Sequence, residues 1–231
     1  MERLRLIRAP SEDLDGSYRR FCKFLDSHPN PFVSSRPEEM IRSAIQDESL
    51  FFLETEAGEI IALTGFYRHG VEDDLWGEIG STLVDENFQG CQLQVVLYRH
   101  IISLKWLSDW PPHVFAVVDQ KAVPSFKNVE KCGFERLHSV PTGLSRAIPE
   151  RNWQSISDAS KRLYLLPEKA IAHSLLYVAD RGRSHPVLDK RGSEVFFLSV
   201  EFSYLKKPEA CDVLREEAQD LLRKSSQLSQ I

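Results

Sequence analysis

The pattern that most restricts the fold lies in residues 50–68, where two β-rich runs stand on either side of a short connection. The runs are LFFLET (50–55) and EIIALTGFYR (59–68), and the pair Ala57-Gly58 lies between them. Runs of this kind around a tight, Gly-containing connection are typical of a β-hairpin. We therefore expect an antiparallel sheet in this part of the chain.

A unit of a different kind follows the hairpin. WGEIGSTLV (76–84) is predicted to be a further strand and HVFAVVD (113–119) a largely apolar one. Between them, apolar residues recur at helical spacing, at Leu93, Val96, Leu97, Ile101 and Leu104. Strand, helix and strand in this order predict a parallel βαβ unit.

The remaining elements up to residue 140 surround these two units. They are a strand over 4–8, a helix with Ser11 as its N-cap, a helix with Ser35 and Glu38 at capping-box spacing, a helix over Val123–Lys131 and a strand over Phe134–Val140. The predicted order is β-α-α-β-β-β-α-β-α-β, with the antiparallel hairpins first and the parallel unit later. This order predicts an α/β (α+β) fold built on a mixed sheet.

The part beyond residue 140 has weaker patterns. A helix is predicted over Pro167–Asp180, a strong β run over Glu194–Leu205, and an amphipathic helix over Pro208–Lys224. The basic segment RGRSHPVLDKRG (181–192) is interpreted as a solvated connector. We expect a core over 1–140 and a C-terminal elaboration over 141–231 that packs on the same domain.

The charge balance argues against two kinds of partner. The sequence has 29 Lys and Arg against 34 Asp and Glu, a formal net charge of −5. The chain therefore has no overall positive field to gather nucleic acid or an anionic membrane. No run approaches the roughly 18 apolar residues of a transmembrane helix. We expect neither a nucleic-acid nor a membrane partner.

The compartment is predicted from two further features. Residues 1–16, MERLRLIRAPSEDLDG, lack the apolar stretch of a secretory signal. The four cysteines (Cys22, Cys91, Cys132 and Cys211) are scattered, without the spacing of a zinc site. Both features favour a cytoplasmic protein with reduced thiols and no metal.

Two longer motifs carry a resemblance to a known family. GEIGSTLVDENFQGCQLQVVLYRHI (77–101) combines a strand ending in Val, an acidic turn and a Gln-initiated loop that opens a helix. SFKNVEKCGFERL (125–137) is a helix followed by Gly-Phe and a strand. With the element order, these motifs resemble the GNAT superfamily of N-acetyltransferases over about residues 4–140, or to about 205 if Glu194–Leu205 is the family's last strand. The resemblance implies a mostly antiparallel sheet with helices on both faces.

The resemblance also implies a binding site for acetyl-CoA or another acyl-CoA, without a metal. In the family, the strand ending near Val84 parts from the next strand, and the pantetheine arm binds in the opening. The loop and helix start then bind the pyrophosphate through N–H groups and the positive end of the helix dipole. The residues implied as cofactor-binding are Leu83, Val84, Gln89, Gly90, Cys91, Gln92, Leu93 and Gln94.

The sequence departs from the family pattern at several of these positions. Gln92 and Gln94 stand where the family has its two small residues, and 85–94 contains no Lys or Arg. Pyrophosphate binding is therefore expected to be altered, weak or absent. In the second motif, Ala122 stands where the family often has Asn, and Val129 where a Tyr often protonates the leaving thiolate.

Catalytic candidates follow from what direct attack by an amine requires. Glu78 lies six residues before Val84, where the family often carries a base that takes the amine proton. Ser125 is a candidate to bind the thioester end of the cofactor, and a backbone N–H near Val84 is the implied oxyanion donor. Tyr67 and His138 are further candidates, although packing or surface roles are more expected of them. Cys91 near a helix N-terminus, where the pKa of a thiol tends to fall, is the remaining nucleophile candidate.

The sequence therefore predicts an acyltransferase that moves an acetyl or short acyl group from CoA to a primary amine by direct attack. The acceptor is a small molecule or a peptide, and the protein is a monomer or a homodimer. Two alternatives stay open. In one the donor is an acidic acyl carrier protein that contacts Arg181 and Arg183. In the other the chain is an inactive GNAT-fold module that binds a ligand.

Overall fold

A computed structural model describes residues 2–71, 74–108, 111–151, 153–189, 191–207 and 209–228. Within these ranges the strands form one sheet in the order β6-β7-β5-β4-β3-β2-β1-β9-β8. The strands are β1 Glu2–Arg8, β2 Leu50–Thr55, β3 Ile60–His69, β4 Trp76–Val84, β5 His113–Asp119, β6 Glu135–Leu137, β7 Lys161–Leu165, β8 Ser184–Leu188 and β9 Glu194–Val200. Only β4–β5 and β1–β9 pair in parallel. The predicted mixed, mostly antiparallel sheet is confirmed.

Helices cover both faces of this sheet, as expected. They are α1 Leu14–Ser27, α2 Glu38–Gln46, α3 Leu93–Ser108, α4 Val123–Lys131, α5 Thr142–Ala147, α6 Gln154–Ser157, α7 Glu168–Arg181 and α8 Ala210–Leu228. One apolar core joins α1 and α2 to the face that carries Phe52 and Leu63, and a larger core joins α3, α7 and α8 to the other face. Among the described helices, none is long and apolar enough to cross a membrane.

The first two helices begin differently from the prediction. The Asp13 side chain, rather than Ser11, accepts a hydrogen bond from the Gly16 N–H at 3.0 Å and caps α1. The second helix begins after Pro37 with no side-chain cap, so the capping box of Ser35 and Glu38 is not formed. Pro37 itself occupies the N-cap position, and proline has no side-chain oxygen that could accept from the N–H groups of the first turn.

The strand that completes the sheet beside β5 was not predicted. β7 lies between β5 and β6 and pairs antiparallel with both. Glu194–Leu205 was expected to be the family's last strand, but β9 ends at Val200 and pairs with β1, on the other side of the sheet. That expectation is therefore wrong. The predicted boundary at residue 140 separates β6 from its hydrogen-bonded neighbour β7.

The basic segment 181–192 is also more ordered than expected. It contains β8, which pairs antiparallel with β9 and ends the sheet. Pro186 lies within this strand, and an edge position tolerates a residue without an N–H because one side of the strand has no partner. The interpretation of the whole segment as a solvated connector is wrong. Pro208, with which the predicted C-terminal helix begins, lies outside the described residues.

Candidate active site

A cleft opens where β4 and β5 part. The two strands pair only from Trp76 opposite His113 to Glu78 opposite Phe115. Beyond this point β4 continues to Val84 and β5 to Asp119 without pairing to each other. The strand register therefore shows the separation that the family resemblance implied, and it leaves backbone groups of both strands available to a ligand.

A β-bulge in β4 lies at the same level. Leu63 stands opposite Leu83 and Gly65 opposite Gly80, so Ser81 and Thr82 together face the single residue Thr64. Ser81 has a φ of 52°, in the left-handed region that non-glycine residues seldom adopt. A bulge bends its strand and increases the local twist, which fits a position where β4 leaves its neighbour.

The deeper part of the cleft is a cavity of about 460 Å³, which we call the inner cavity. Its wall includes Glu78, Gly80 and Ser81 of β4 and Val117 and Asp119 of β5. The loop between α1 and α2, Arg151 and residues 153–161 complete its lining. Its size lies within the range of roughly 300–1,000 Å³ that small-molecule sites occupy.

Glu78 lies at the base of the inner cavity and is almost fully buried. Arg36 donates to both of its oxygens, from Nη1 to Oε2 at 3.0 Å and from Nη2 to Oε1 at 2.9 Å. Arg151 Nη2 lies 2.7 Å and His69 Nε2 3.0 Å from Oε2. Four separate segments of the chain therefore meet at one carboxylate.

These contacts set the protonation of Glu78. Burial alone would raise the pKa of its carboxyl, but the charges of Arg36 and Arg151 and the hydrogen bond with His69 together hold that pKa well below 4.5. A carboxylate with a low pKa is a weak base. The role of Glu78 as the acceptor of an amine proton stays a prediction, and its geometry favours an anchor for the two arginines.

Arg36 is held rigidly on this carboxylate. Its guanidinium lies 4.2 Å from the centre of the Tyr67 ring, and its Nε donates to Ser81 Oγ at 3.1 Å. The Tyr67 hydroxyl donates to the same Ser81 oxygen at 2.9 Å. A Cβ at Gly80 would collide with Arg36 Nη2, so the missing side chain there makes room for the ion pair. Tyr67 therefore packs and positions Arg36.

The mouth of the cleft is a second cavity of about 540 Å³, which we call the outer cavity. It adjoins the inner cavity, because Thr82, Gln94, Ala122 and Ser125 line both. Of the residues predicted to bind a cofactor, all but one line the outer cavity: Leu83, Val84, Gln89, Gly90, Gln92, Leu93 and Gln94. The exception is Cys91.

The loop before α3 presents unpaired N–H groups. Gly90 has a φ of 88° and Gln92 a φ of 55°, and α3 begins directly afterwards at Leu93. Among the described residues, the backbone N–H groups of 90–94 have no hydrogen-bond acceptor. Free N–H groups at a helix N-terminus, together with the helix dipole, form an anion-binding geometry. Gln92 has a side chain and still adopts the left-handed conformation, which is uncommon for residues other than glycine.

Gln94 joins the two walls of the cleft without filling it. Its Oε1 accepts from Asn128 Nδ2 of α4 at 3.0 Å, and its Nε2 donates to the Tyr98 hydroxyl at 3.2 Å. Thr82 of β4 donates to the same hydroxyl at 3.1 Å. Both cavities remain open beside this chain of hydrogen bonds.

Cations reach the outer cavity from α4 and the residues before it. Lys121, Lys127 and Lys131 line the cavity and are exposed. The loop 85–94 contains no Lys or Arg, so these lysines are the positive charges that the sequence motif lacks. Lys127 and Lys131 lie one helical turn apart and so share a face of α4.

Ser125 places a hydroxyl group where the two cavities join, and Tyr98 places one on the wall of the inner cavity. Ser125 is in the first turn of α4, and its hydroxyl has no hydrogen-bond partner among the described residues. Burial raises the pKa of Tyr98, so its phenol stays protonated near neutral pH. Tyr98 was not predicted as a site residue. Its only signal was a polar atom on an apolar helix face, which must find a partner when buried.

The other candidates lie away from the cleft. Cys91 faces a third cavity between α3, α7 and β8, and burial followed by the charge of Asp189 raises the pKa of its thiol. This is the opposite of the lowering expected at a helix N-terminus. His138 is exposed beyond β6 and does not line these cavities. Arg181 lines the third cavity.

No group of three His, Cys, Asp or Glu side chains within the described ranges is arranged to hold a metal ion.

Comparison with known proteins gives a match in structure only. No protein-family model and no curated protein matches the sequence. An acetyltransferase of the GNAT family from Staphylococcus aureus Mu50 matches 71% of this chain and 98% of its own, with a TM-score of 0.50 and 10% identity. The chain has the GNAT fold. At this identity the likeness concerns the fold alone, and the resemblance proposed from the sequence is confirmed at that level.

Two further solved structures that match this chain contain bound ligands. A protein from Mycobacterium tuberculosis in complex with CoA matches 70% of this chain and 97% of its own, with a TM-score of 0.49 and 13% identity. N-acetylglutamate synthase from Neisseria gonorrhoeae, complexed with CoA and N-acetyl-glutamate, matches 71% of this chain and 34% of its own, with a TM-score of 0.47 and 16% identity.

Proposed function

We propose that the protein is an acyltransferase that moves an acetyl or short acyl group from CoA to a primary amine. The observation that carries this proposal is the separation of β4 from β5, which opens two adjoining cavities from the loop before α3 to Glu78. A fold alone does not set a function, so the proposal depends on this cleft and its groups.

The outer cavity is suited to the donor. The free N–H groups of 90–94 supply hydrogen-bond donors for a pyrophosphate, and the helix dipole of α3 adds positive potential. Lys127 and Lys131 add full charges on the opposite wall. The pantetheine arm then passes Gln94 and Ser125 towards the inner cavity, where unpaired backbone groups of β4 are available. This arrangement compensates for the missing glycines and cations of the loop.

Direct transfer needs three things at the inner end of the cleft. The amine nitrogen attacks the thioester carbonyl carbon, and the developing oxyanion needs a donor, which we assign to a backbone N–H near Val84 as the family resemblance implied. The C–S bond then breaks, and the thiolate takes a proton. Tyr98 is placed to donate it, because its hydroxyl already accepts hydrogen bonds from Thr82 and Gln94 and its own proton is free. Tyr98 would thus take the role of the Tyr that the family often has at the position of Val129.

The amine must also lose a proton during the reaction. Glu78 is the acceptor predicted from the sequence, but its low pKa makes it a weak base. Asp119 is a second carboxylate on the wall of the same cavity. We therefore propose that the proton leaves through water towards Asp119, while Glu78 fixes the arginines. Loss of turnover in Asp119→Asn, with CoA binding retained, is the expected result.

The proposal is tested by titration calorimetry with CoA and by a thiol-release assay with acetyl-CoA and a panel of amines. We expect CoA to bind with micromolar to millimolar affinity, and free thiol to appear only when an accepted amine is present. A CoA fragment without the nucleotide, such as pantetheine, serves as the matched ligand and should bind more weakly.

The outcomes separate the remaining alternatives. No heat at millimolar CoA would exclude a CoA-dependent transferase. Tight CoA binding without transfer to any amine would support the inactive module. Transfer from an acyl carrier protein, but not from CoA, would support the carrier-protein donor.

A further inference from the structure

The base of the inner cavity carries one positive charge more than it has negative charge. Arg36 and Arg151 share the single carboxylate of Glu78. Their side chains are 10% and 22% exposed, and that of Glu78 is 3% exposed, so water screens this cluster poorly. Asp119 and Lys161 also line the cavity and stand opposite each other on β5 and β7, so their charges cancel. A partly buried, uncompensated cation is costly unless an anion accompanies it.

The excess charge is located on Arg151. Arg36 uses its guanidinium fully, with both terminal nitrogens on Glu78 and Nε on Ser81. Arg151 uses only Nη2 for Glu78, and among the described residues its Nη1 and Nε have no acceptor. Nη1 is buried and has no hydrogen-bond partner among the described residues.

Arg151 is also held in place on the cavity wall. Its guanidinium lies 5.7 Å from the centre of the Phe115 ring and 5.3 Å from that of Trp153. The Trp153 indole is itself fixed, because its Nε1 donates to the Ile148 carbonyl at 3.1 Å. A guanidinium fixed between aromatic rings is pre-organised for a planar anion, since little side-chain entropy is lost when the anion binds.

We propose that the acceptor is an amine that also carries a carboxylate, such as an amino acid, and that Arg151 binds this carboxylate. The inference rests on the proposed function and names the class of its acceptor. A carboxylate brings one negative charge, which matches the single excess positive charge, whereas a phosphate monoester would bring nearly two. A guanidinium donates charge-assisted hydrogen bonds to a carboxylate, and the Nε of Arg151 has no acceptor among the described residues. The amine end of the same molecule then faces the opening between β4 and β5.

The test compares acids with their own amides by titration calorimetry. The ligands are leucine, phenylalanine and glutamate, each paired with its α-carboxamide, added to the full chain with and without CoA. In the amide an uncharged carboxamide of the same shape replaces the α-carboxylate, and the amine and the side chain are unchanged. We expect at least one acid to bind roughly tenfold or more tightly than its amide, as expected for a hydrogen bond to a charged group. If no acid binds more tightly than its amide, the inference is wrong. This comparison needs only the wild-type chain.

Variants then assign the effect to the residue. Arg151→Met should remove the preference for the acid, and Arg151→Lys should restore part of it. Arg146→Gln is the matched control, because Arg146 lies in the preceding helix α5, its side chain is 68% exposed and paired with Asp74, and it does not line the cavity. A preference for the acid that persists in Arg151→Met would contradict the assignment.

Transfer assays distinguish failure of this inference from failure of the proposed function. Equal acetylation of acids, amides and simple amines would refute the carboxylate site and leave the transferase standing. An acid preference that depends on Arg151, without any acyl transfer, would support the site and refute the transferase.

Discussion

Replacing Glu78 by glutamine distinguishes an anchoring role from a proton-accepting one. Glu78→Gln keeps the shape of the side chain but leaves Arg36 and Arg151 without their counter-charge. Removing one partner of a buried ion pair costs about 3–5 kcal/mol. Because Arg151 is 22% exposed, the lower end of this range applies. For a chain of this size each kcal/mol lowers the melting temperature by about 2–4 °C, so we expect a fall of roughly 6–12 °C at neutral pH.

The pH dependence provides an independent check on the same substitution. The pKa of Glu78 in the folded chain lies well below 4.5, its value without neighbours. Its ionised form therefore contributes stability above about pH 4.5, and this contribution is lost as the pH falls towards the folded pKa. Wild type and Glu78→Gln should differ most near pH 7 and converge as the solution becomes more acidic.

The measurement is urea unfolding of both proteins between pH 7 and pH 3.5. Glu38→Gln is the control, because Glu38 pairs with Arg42 on the surface and its side chain is 52% exposed. An exposed pair of this kind contributes about 1 kcal/mol or less. If Glu78→Gln is as stable as wild type at pH 7 but has lost transfer activity, the anchoring role is refuted and the role as a base gains support.

Three further predictions concern other parts of the molecule. Replacing Lys127 and Lys131 together by glutamine should weaken CoA binding roughly three- to tenfold without affecting pantetheine binding. The effect is modest because each exposed lysine contributes little free energy to the binding of a phosphate, and calorimetry with both ligands checks it. Tyr98→Phe should lower kcat for acetyl transfer roughly 100-fold with little change in KM for acetyl-CoA, as expected for loss of a general acid; an unchanged kcat would contradict its role. Burial and the neighbouring His185, whose Nε2 lies 3.2 Å from that of His100, lower the pKa of His100 from 6.5 to about 3. The folded chain therefore resists protonation of His100, and it loses stability as the pH falls below 6.5. We expect a loss of about 1.5 kcal/mol between pH 6.5 and pH 5 in urea unfolding, and a much smaller loss in His100→Phe.

The central part of the fold could be predicted because its signals are local. β4 and β5 have the bounds expected from the runs 76–84 and 113–119. The helix between them carries its apolar residues at helical spacing, and α4 begins and ends where predicted. The spacing of apolar residues within a short window, and the residues that end it, decide such elements, and no distant contact is needed.

Elements that depend on distant partners could not be predicted. β7 is a run of five residues, KRLYL, without a hairpin turn beside it, and its pairing with β5 and β6 decides its conformation. β8 contains Pro186, which argues against a strand unless its position at the edge of a sheet is known. Both cases require the tertiary arrangement, which a sequence window does not contain.

The candidate site divides in the same way. The loop 89–94 and Ser125 came from motifs that are continuous in the sequence, and the structure places them along one cleft, except for Cys91. The cluster at Glu78 combines residues 36, 69, 78 and 151, which are distant in the sequence. A buried arginine can be identified only when its charged partner in the folded chain is known, so neither Arg36 nor Arg151 had a signal of its own in the sequence.

The most direct test of the account is a crystal structure of the protein grown with millimolar CoA. The account predicts pantetheine between β4 and β5 beyond Glu78, with the pyrophosphate at the N–H groups of 90–94 and near Lys127. CoA bound elsewhere on the protein, or an unliganded cleft at a concentration where calorimetry shows binding, would contradict it.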